Sequence, residues 1–387
     1  MDEMKNNVNP AAKATNAIKS ARPYFSEADV QAILADVRKI LESGNMIIGP
    51  YVKEFEDRFA RYMGTKYAVG LSSCSSAMEV ALRYFNVAGS EVVVPTNTFI
   101  ATPNSVAFAG GIPVFADLDP KTYNSHLANF QAKRTGRTKG AIAVHLGGLP
   151  VADIEEMRET YDKEGMFLIE DCSHAHGATI NGKKVGSIGH VGCFSLMATK
   201  VMTSGLGGML VTDDPDIYEY VLTTRNSASG RLSSIDHTAS DWMMSEMAAV
   251  VGMRHLGNLE EFLRVRNAIA KMYKDELAGS DNIAFNEPPS NVRHSYYKFL
   301  TTISRNAGDK HSIIDKAKSL GIELGTIYEV PCHMQPVYQK LGHNVGECPA
   351  AEDALKRQIA LPMHVRLTEK DTDAVTSFLK KETEGVA

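Results

Sequence analysis

Lys200 lies between a serine and a glycine-rich turn, an arrangement that could serve a cofactor with an electron-accepting ring. Ser195 precedes the lysine, and the glycines follow within residues 204–212. Earlier in the chain, the largely apolar run of residues 167–170 ends in Asp171. Pyridoxal phosphate (PLP) chemistry needs a lysine amine for the Schiff base and a carboxylate that keeps the pyridine nitrogen protonated, while hydroxyls and loop amides can hold the phosphate. The local pattern therefore predicts a PLP site with Lys200 and Asp171 as its catalytic residues.

The neighbouring residues Cys172, His174 and His176 offer a metal site as an alternative. Alternating positions on a strand place their side chains on one face, at a spacing that some metals could use. No fourth ligand can be identified in the sequence, and Asp171 already has a role toward the cofactor. We therefore expect no metal at these residues.

Further blocks accompany the lysine and the aspartate in a fixed order along the chain. They are residues 49–50, 72–78, 92–102 and 113–120 and, in the last third, residues 328–333 and 349–352. Together they make the chain similar, from about Ile47 to about Leu379, to the DegT/DnrJ/StrS family of PLP-dependent sugar aminotransferases. The resemblance implies a fold-type-I enzyme of the aspartate aminotransferase superfamily with PLP as its cofactor.

The resemblance also implies a role for single residues. Lys200 matches the Schiff-base lysine and Asp171 the partner of the pyridine nitrogen. His174 matches a residue that contacts the ring hydroxyl, and Phe99 matches the aromatic side chain that stacks on the ring. The phosphate-binding positions are Ser75, Ser76 and Ser195, and the candidate substrate contacts are Tyr328 and His333.

The resemblance implies that the enzyme transfers an amino group from glutamate or glutamine to a nucleotide-linked keto- or aldehydo-sugar. The product would be an amino sugar for surface polysaccharides or antibiotics. The family also implies a homodimer with active sites at the interface. Alternatives are a sugar dehydratase of this fold, in which histidine replaces the lysine, and a PLP-binding regulator without turnover. A general amino-acid aminotransferase would need an arginine for the substrate α-carboxylate, and the sequence alone does not place one.

Three departures from the family pattern stand out. Residues 73–75 read Ser-Cys-Ser where the family usually has Ser-Gly-Thr, and residues 227–228 read Ser-Ala where it has His-Gly. Asp241 replaces an asparagine that reaches the cofactor phosphate of the neighbouring subunit, and a carboxylate there would meet a like charge. We interpret Asp241 as the cap of a helix over residues 242–256, with a role in substrate choice as the alternative.

The composition bounds the class of protein. Of 387 residues, 22% are charged and 44% hydrophobic, with a net charge of −5, the profile of an ordinary globular enzyme. The sequence contains no basic cluster and no apolar run near the ~20 residues of a membrane helix, so we expect neither nucleic acid nor membrane as a partner. Five scattered cysteines and a polar N-terminus favour free thiols and a cytoplasmic location.

The order of apolar and amphipathic segments predicts an α/β fold. Strand-like runs at residues 91–94, 113–117, 141–144 and 167–170 alternate with helical stretches, which is typical of a mostly parallel sheet covered by helices, of the seven-stranded type that the family implies. After about residue 212, helices predicted at 241–256, 259–277 and 350–359 and strands predicted at 296–303 and 328–330 indicate a smaller α+β domain. The predicted division is a tail of residues 1–22, a large PLP-binding domain of residues 23–260 and a small C-terminal domain of residues 261–387.

Overall fold

Strands and helices alternate through the computed structural model, which describes residues 17–227 and 238–384. The strands are β1 (Tyr67–Leu71), β2 (Glu91–Pro95), β3 (Ile112–Ala116), β4 (Thr138–Val144), β5 (Phe167–Asp171), β6 (Thr179–Ile180), β7 (Lys183–Lys184), β8 (Val191–Ser195), β9 (Gly208–Thr212), β10 (Ile283–Phe285), β11 (Val292–Arg293), β12 (Phe299–Ile303) and β13 (Gln358–Leu361). The α-helices are α1 (Glu27–Ser43), α2 (Pro50–Met63), α3 (Cys74–Tyr84), α4 (Ala101–Phe108), α5 (Leu127–Gln131), α6 (Ile154–Lys163), α7 (Pro215–Ser227), α8 (Glu246–Leu277), α9 (Lys310–Ser319), α10 (Pro336–Gln339), α11 (Pro349–Ala354) and α12 (Glu369–Glu384).

A seven-stranded sheet in the order β1-β9-β8-β5-β4-β2-β3 forms the centre of the larger part. The β3, β2, β4, β5 and β8 strands pair in parallel, whereas β9 runs antiparallel to β8 and β1. Successive side chains enter opposite cores, with Val93 in one and Val92 and Val94 in the other. Both faces of the sheet are therefore buried, as a mostly parallel sheet requires. The predicted fold class is confirmed.

A smaller antiparallel sheet carries the C-terminal part of the chain. Strand β12 pairs with β10 and with β13, and Phe299, Leu361 and Leu379 pack together in a separate core there. Residues 17–22, the end of the predicted tail, lie against this part: the Ile18 amide donates to the Gly321 carbonyl at 2.8 Å. Residues 1–16 of the predicted tail lie outside the described residues.

Helix α8 links the two parts, since Leu256 belongs to a core of the large sheet and Ile269 to the small core. The prediction of two helices, over 241–256 and 259–277, is wrong because one helix runs through Gly257. A glycine inside a helix costs only about 1 kcal/mol, and packing against two cores outweighs it. The predicted boundary at residue 260 falls within α8, and the division into domains stays a prediction.

Two further element predictions in the C-terminal third are wrong. Residues 328–330 form no strand, and Tyr328 has a positive φ of 60°, which strands do not use. The helix predicted over 350–359 ends at Ala354, and its last residues instead form β13. Both segments contribute to contacts between distant parts of the chain, which local periodicity does not encode.

Candidate active site

The predicted catalytic residues meet at one end of the large sheet. Asp171 is the last residue of β5, and Ser195 is the last residue of the neighbouring parallel strand β8. Side chains at the carboxyl ends of parallel strands share one edge of the sheet, where ligands of such folds bind. A cavity of about 390 Å³ lies there, within the size range of small-molecule sites. Of the predicted residues, its walls contain Ser75, Phe99, Asp171, His174, Ser195, Lys200 and Tyr328.

Asp171 presents a buried carboxylate at the floor of the cavity. The residue is only 3% exposed. The Thr102 hydroxyl donates to Oδ2 at 2.9 Å, and the Ser173 amide donates to Oδ1 at 3.0 Å. Both donors are neutral, and Asp171 has no ion pair among the described residues. A buried anion without a cationic partner is suited to receive a positively charged ring nitrogen.

The start of helix α3 forms a second wall with unpaired amides. Ser73 caps the helix, and its hydroxyl accepts from the Ser76 amide at 3.1 Å. The N–H groups of Cys74 and Ser75 lie in the first turn, where they have no hydrogen-bond partner within the helix, and they form part of the positive end of the helix dipole. Gly208 of β9 allows this approach, because a Cβ there would lie 2.2 Å from the Ser73 carbonyl carbon. The helix start is therefore a ready phosphate site.

Lys200 enters the cavity from the loop between β8 and β9. Its Nζ lies 4.6 Å from the centroid of the Tyr297 ring, a distance at which an ammonium is attracted to an aromatic face. Although burial alone would raise the pKa of the Tyr297 hydroxyl, the positive charge on Lys200 and further interactions with Thr199 and Lys298 hold this pKa below its ordinary value. The lysine and the tyrosine therefore stabilise each other electrostatically.

His174 and Tyr328 form a hydrogen-bonded pair at the cavity wall. Burial, followed by the positive charge of Lys200, holds the pKa of His174 well below its ordinary value, so the imidazole is neutral at pH 7. Its Nδ1 accepts from the Gly147 amide at 3.3 Å, which leaves the proton on Nε2 to donate to the Tyr328 hydroxyl, 3.3 Å away. Burial also keeps the pKa of Tyr328 well above its ordinary value. The Tyr328 hydroxyl is therefore protonated and free to donate into the cavity.

Phe99 stands at the mouth of the cavity and is 57% exposed. Its ring centroid lies 6.1 Å from that of Tyr328, so the two rings border the same opening. The position agrees with a side chain that covers a flat ring bound below it. Its predicted stacking on the cofactor stays a prediction.

Two predicted site residues lie outside the cavity. The Ser76 hydroxyl is held within the cap of α3, where it accepts from the Ser73 amide at 2.9 Å. His333 is fully buried, with Nδ1 2.6 Å from the Thr96 hydroxyl and Nε2 3.0 Å from Glu352. Ser76 thus shapes the phosphate wall from behind, and His333 joins the end of β2 to helix α11.

The residues of the predicted metal alternative do not form one face of a strand, because β5 ends at Asp171. A different group, His145, Glu170 and Cys172, brings its ligand atoms within 4.8 Å of one another in the described part of the chain. Glu170 accepts from the His145 ring at 3.0 Å and from the amides of Gly186 and Ile188, both at 2.8 Å. These hydrogen bonds already occupy the carboxylate, so the group is a buried structural network.

The structure adds site residues that were not predicted. Cys74, Thr102, Tyr297 and Lys298 also line the cavity. The Ser173 hydroxyl donates to the Cys74 sulfur at 3.1 Å, and burial raises the pKa of this thiol well above its ordinary value, so it lies in the wall as a neutral group. The sequence showed Tyr297 and Lys298 as part of a strand-like run, which concealed their position just before β12.

Asp241 does not cap the following helix, so this interpretation is wrong. Helix α8 begins five residues later at Glu246, and its cap is Ser245, whose hydroxyl accepts from the Ala248 amide at 3.1 Å. Asp241 is exposed and directly precedes Trp242, whose carbonyl accepts from the Ser72 amide at 2.8 Å. The residue therefore lies on the surface near the start of α3.

The sequence profile of the DegT/DnrJ/EryC1/StrS aminotransferase family matches residues 27–380. The chain belongs to this family. The predicted resemblance, PLP dependence and aminotransferase activity are confirmed, and the buried Asp171 carboxylate, the open start of α3 and Lys200 fit that cofactor. In the described part of the chain, no helix is both long and apolar enough to span a lipid bilayer.

Named relatives resemble this family member over most of its length. The chain is 34% identical over 355 residues to UDP-N-acetyl-3-dehydro-alpha-D-glucosamine 3-aminotransferase of Acidithiobacillus ferrooxidans, covering 91% of this chain and 94% of that protein. It is 31% identical over 337 residues to GDP-perosamine synthase of Caulobacter vibrioides, covering 86% and 90%. Among solved structures, the sugar aminotransferase Spr1654 of Streptococcus pneumoniae in its PLP form is similar with a TM-score of 0.87 and 26% identity, covering 96% of this chain and 100% of that one.

Proposed function

We propose that this enzyme transfers an amino group from glutamate or glutamine to a nucleotide-linked keto- or aldehydo-sugar in amino-sugar biosynthesis. The observation that carries the proposal is the convergence of Lys200, Asp171 and the start of α3 on one cavity. The relatives described above bear names of UDP- and GDP-linked sugars, which supports a nucleotide sugar as the acceptor.

The residues of the cavity would hold PLP at three places. The start of α3 and the Ser75 hydroxyl would bind the phosphate, Asp171 would accept a hydrogen bond from the protonated ring nitrogen, and Phe99 would cover the ring. When bound, PLP supplies an aldehyde that takes up the amino group and a ring that accepts electrons from the donor carbon. The floor lies at the end of a sheet strand and the phosphate wall at the start of a capped helix, and sites built on such elements are more precise than sites built on loops.

Lys200 has the position of the proton-transferring base. At rest it would carry the covalent link to the cofactor. The amino group of the donor would replace this link, and the released amine of Lys200 would then take the proton from the α-carbon of the donor. Tyr328, fixed by the neutral His174, would donate its hydroxyl proton in a hydrogen bond to a substrate oxygen. The two groups therefore divide the work between proton transfer and substrate orientation.

We also propose a homodimer that closes the cavity. Three large apolar side chains stand exposed around its opening: Phe99 at 57%, Met197 at 38% and Leu206 at 68%. Exposed apolar groups around a polar site mark an interaction surface, and a second copy of this chain would cover them and exclude water from the reaction. Light scattering at micromolar concentration should give twice the mass of one chain, whereas an active monomer would contradict the proposal.

The cysteines are in keeping with a cytoplasmic setting for this reaction. All five are free and buried. Thiols of this kind persist in a reducing compartment. We therefore propose that the enzyme works in the cytoplasm, where a fusion to a fluorescent protein should be found by microscopy.

The function is tested with the purified, PLP-loaded protein and a panel of UDP-, GDP- and dTDP-linked keto-sugars. Glutamate or glutamine labelled with ¹⁵N at the α-amino group serves as the donor, and mass spectrometry follows the label. We expect ¹⁵N in one nucleotide sugar, and none with the Lys200→Ala variant. Label that reaches only keto acids, and no sugar of the panel, would contradict the proposed acceptor.

A further inference from the structure

The cavity contains a second ammonium group that the proposed roles leave without a function. Lys298 directly precedes β12 and lines the cavity, as Tyr297 and Tyr328 do. Its Nζ lies 5.7 Å from the centroid of the Tyr297 ring, the same ring that Lys200 approaches to 4.6 Å. Two lysines therefore border one aromatic ring at the edge of the reaction space.

Lys298 has no carboxylate partner among the described residues. Its ammonium donates to the Ser20 carbonyl at 3.1 Å, which uses one of its three N–H donors. Glu323, an acid whose charge acts on Lys298, already pairs with Lys19 at 2.6 Å and accepts from the Ser20 amide at 3.0 Å. Lys298 therefore retains donors for a ligand.

The surroundings of Lys298 add positive charge. Arg266 is 5% exposed, and its guanidinium donates to the carbonyls of Tyr296 and Met363, with no ion pair in the described chain. Burial, together with the charges on Arg266 and Lys200, holds the pKa of Lys298 below its ordinary value. A negatively charged group that arrives here would relieve this unfavourable burial of cations.

We infer that Lys298 binds the α-carboxylate of the amino donor. This inference rests on the proposed function and names the group that recognises its donor. The α-carboxylate is bonded to the carbon whose proton Lys200 removes, so it must lie within a few bond lengths of the Lys200 amine. Asp171 is the only carboxylate among the described residues that line the cavity, and it lies at the floor as the ring-nitrogen partner.

The diphosphate of a nucleotide sugar is a less suitable ligand for this lysine. Several bonds separate it from the reacting sugar carbon, so it lies toward the mouth of the cavity while Lys298 stands beside the ring that Lys200 contacts. Lys298 therefore takes the place of the arginine that amino-acid aminotransferases use for the same carboxylate.

The test measures equilibrium binding of glutarate, a dicarboxylate that cannot react, to the PLP-loaded protein by calorimetry. Lys298→Met removes the charge at similar length, Lys298→Gln keeps a donor for the Ser20 carbonyl, and Lys298→Arg keeps the charge. A hydrogen bond to a charged group changes affinity by on the order of tenfold to hundredfold. We therefore expect glutarate affinity to fall by this factor in Lys298→Met and Lys298→Gln. In Lys298→Arg it should change by no more than about threefold. Lys163→Met, on the exposed face of α6, is the matched control and should bind like the wild type.

Two further measurements separate the possible results. For Lys298→Met, the KM for glutamate should rise more than kcat falls, and in Lys298→Arg this KM should return to near the wild-type value. The affinity for UDP should stay unchanged in every variant. Wild-type glutarate affinity in both neutral variants, absence of glutarate binding by the wild type, or a selective loss of UDP affinity would each overturn the inference. A protein whose glutarate binding depends on Lys298 but which aminates no keto-sugar would refute the proposed function and leave the carboxylate site standing.

Discussion

Replacement of Asp171 by asparagine tests how the floor of the cavity works. The side chain keeps its shape but loses its charge, while the neutral donors Thr102 and Ser173 remain in place. In the loaded enzyme the protonated ring nitrogen would then be a buried cation without its partner, a loss of about 3–5 kcal/mol. Part of that loss appears in cofactor affinity and part in the rate, and removal of one positioned electrostatic group lowers turnover by about 10²–10³.

We therefore expect Asp171→Asn to lower the rate of the glutamate half-reaction by on the order of a hundredfold or more. Stopped-flow absorbance measures this rate. The cofactor-free variant should unfold within about 1 kcal/mol of the wild type, because the asparagine can still accept from Ser173 and donate to Thr102. Asp57→Asn is the matched control, since Asp57 is an exposed partner of Lys53 on α2. A rate close to that of the wild type would show that another group protonates the ring and would refute this account of Asp171.

The remaining predictions concern the phosphate wall, the start of α8 and a buried histidine. Gly208→Ala should weaken PLP binding at least about tenfold, because the added Cβ would collide with Ser73. Gly257→Ala should not weaken it, because no atom lies within 4 Å of the added Cβ. Equal PLP affinities of the two variants in titrations would contradict this. Ser245→Ala should lower the free energy of unfolding by about 1 kcal/mol, and Asp241→Asn should leave it unchanged, as measured in urea. Burial lowers the pKa of His176 to about 3, so below about pH 6.5 the unfolded chain binds a proton that the folded chain does not. The free energy of unfolding should therefore fall by about 2 kcal/mol between pH 6.5 and pH 5. A His176→Leu variant that keeps the full pH dependence would refute this.

The sequence was sufficient to predict the part of the site that the large sheet builds. Asp171 ends a strand-like apolar run and Lys200 lies between Ser195 and the glycine-rich turn, so the types and order of these residues assigned them to one cofactor. The serines at the start of α3 were assigned to the phosphate through the family resemblance, and the structure shows that Ser73 caps the helix there. What the sequence did not reveal there is side-chain direction: Ser75 faces the cavity while Ser76 turns into the cap.

The wall contributed by the C-terminal part could be predicted only in fragments. Tyr328 was recognised through the family resemblance, but its positive φ and its hydrogen bond to His174 depend on packing between segments more than 150 residues apart in the chain. Tyr297 and Lys298 looked like ordinary strand residues for the same reason. The start of α8 was misplaced because Asp241 and Ser245 both suit a cap, and only the backbone geometry selects Ser245.

The most direct test of the account is to locate the lysine that carries the cofactor. Borohydride reduction of the PLP-loaded protein, followed by proteolysis and mass spectrometry, fixes the cofactor on the lysine to which it is bound. The account predicts that the label lies on the peptide that contains Lys200 and is absent in Lys200→Ala. Label on Lys298, the other lysine of the cavity, or on a surface lysine would contradict the central assignment.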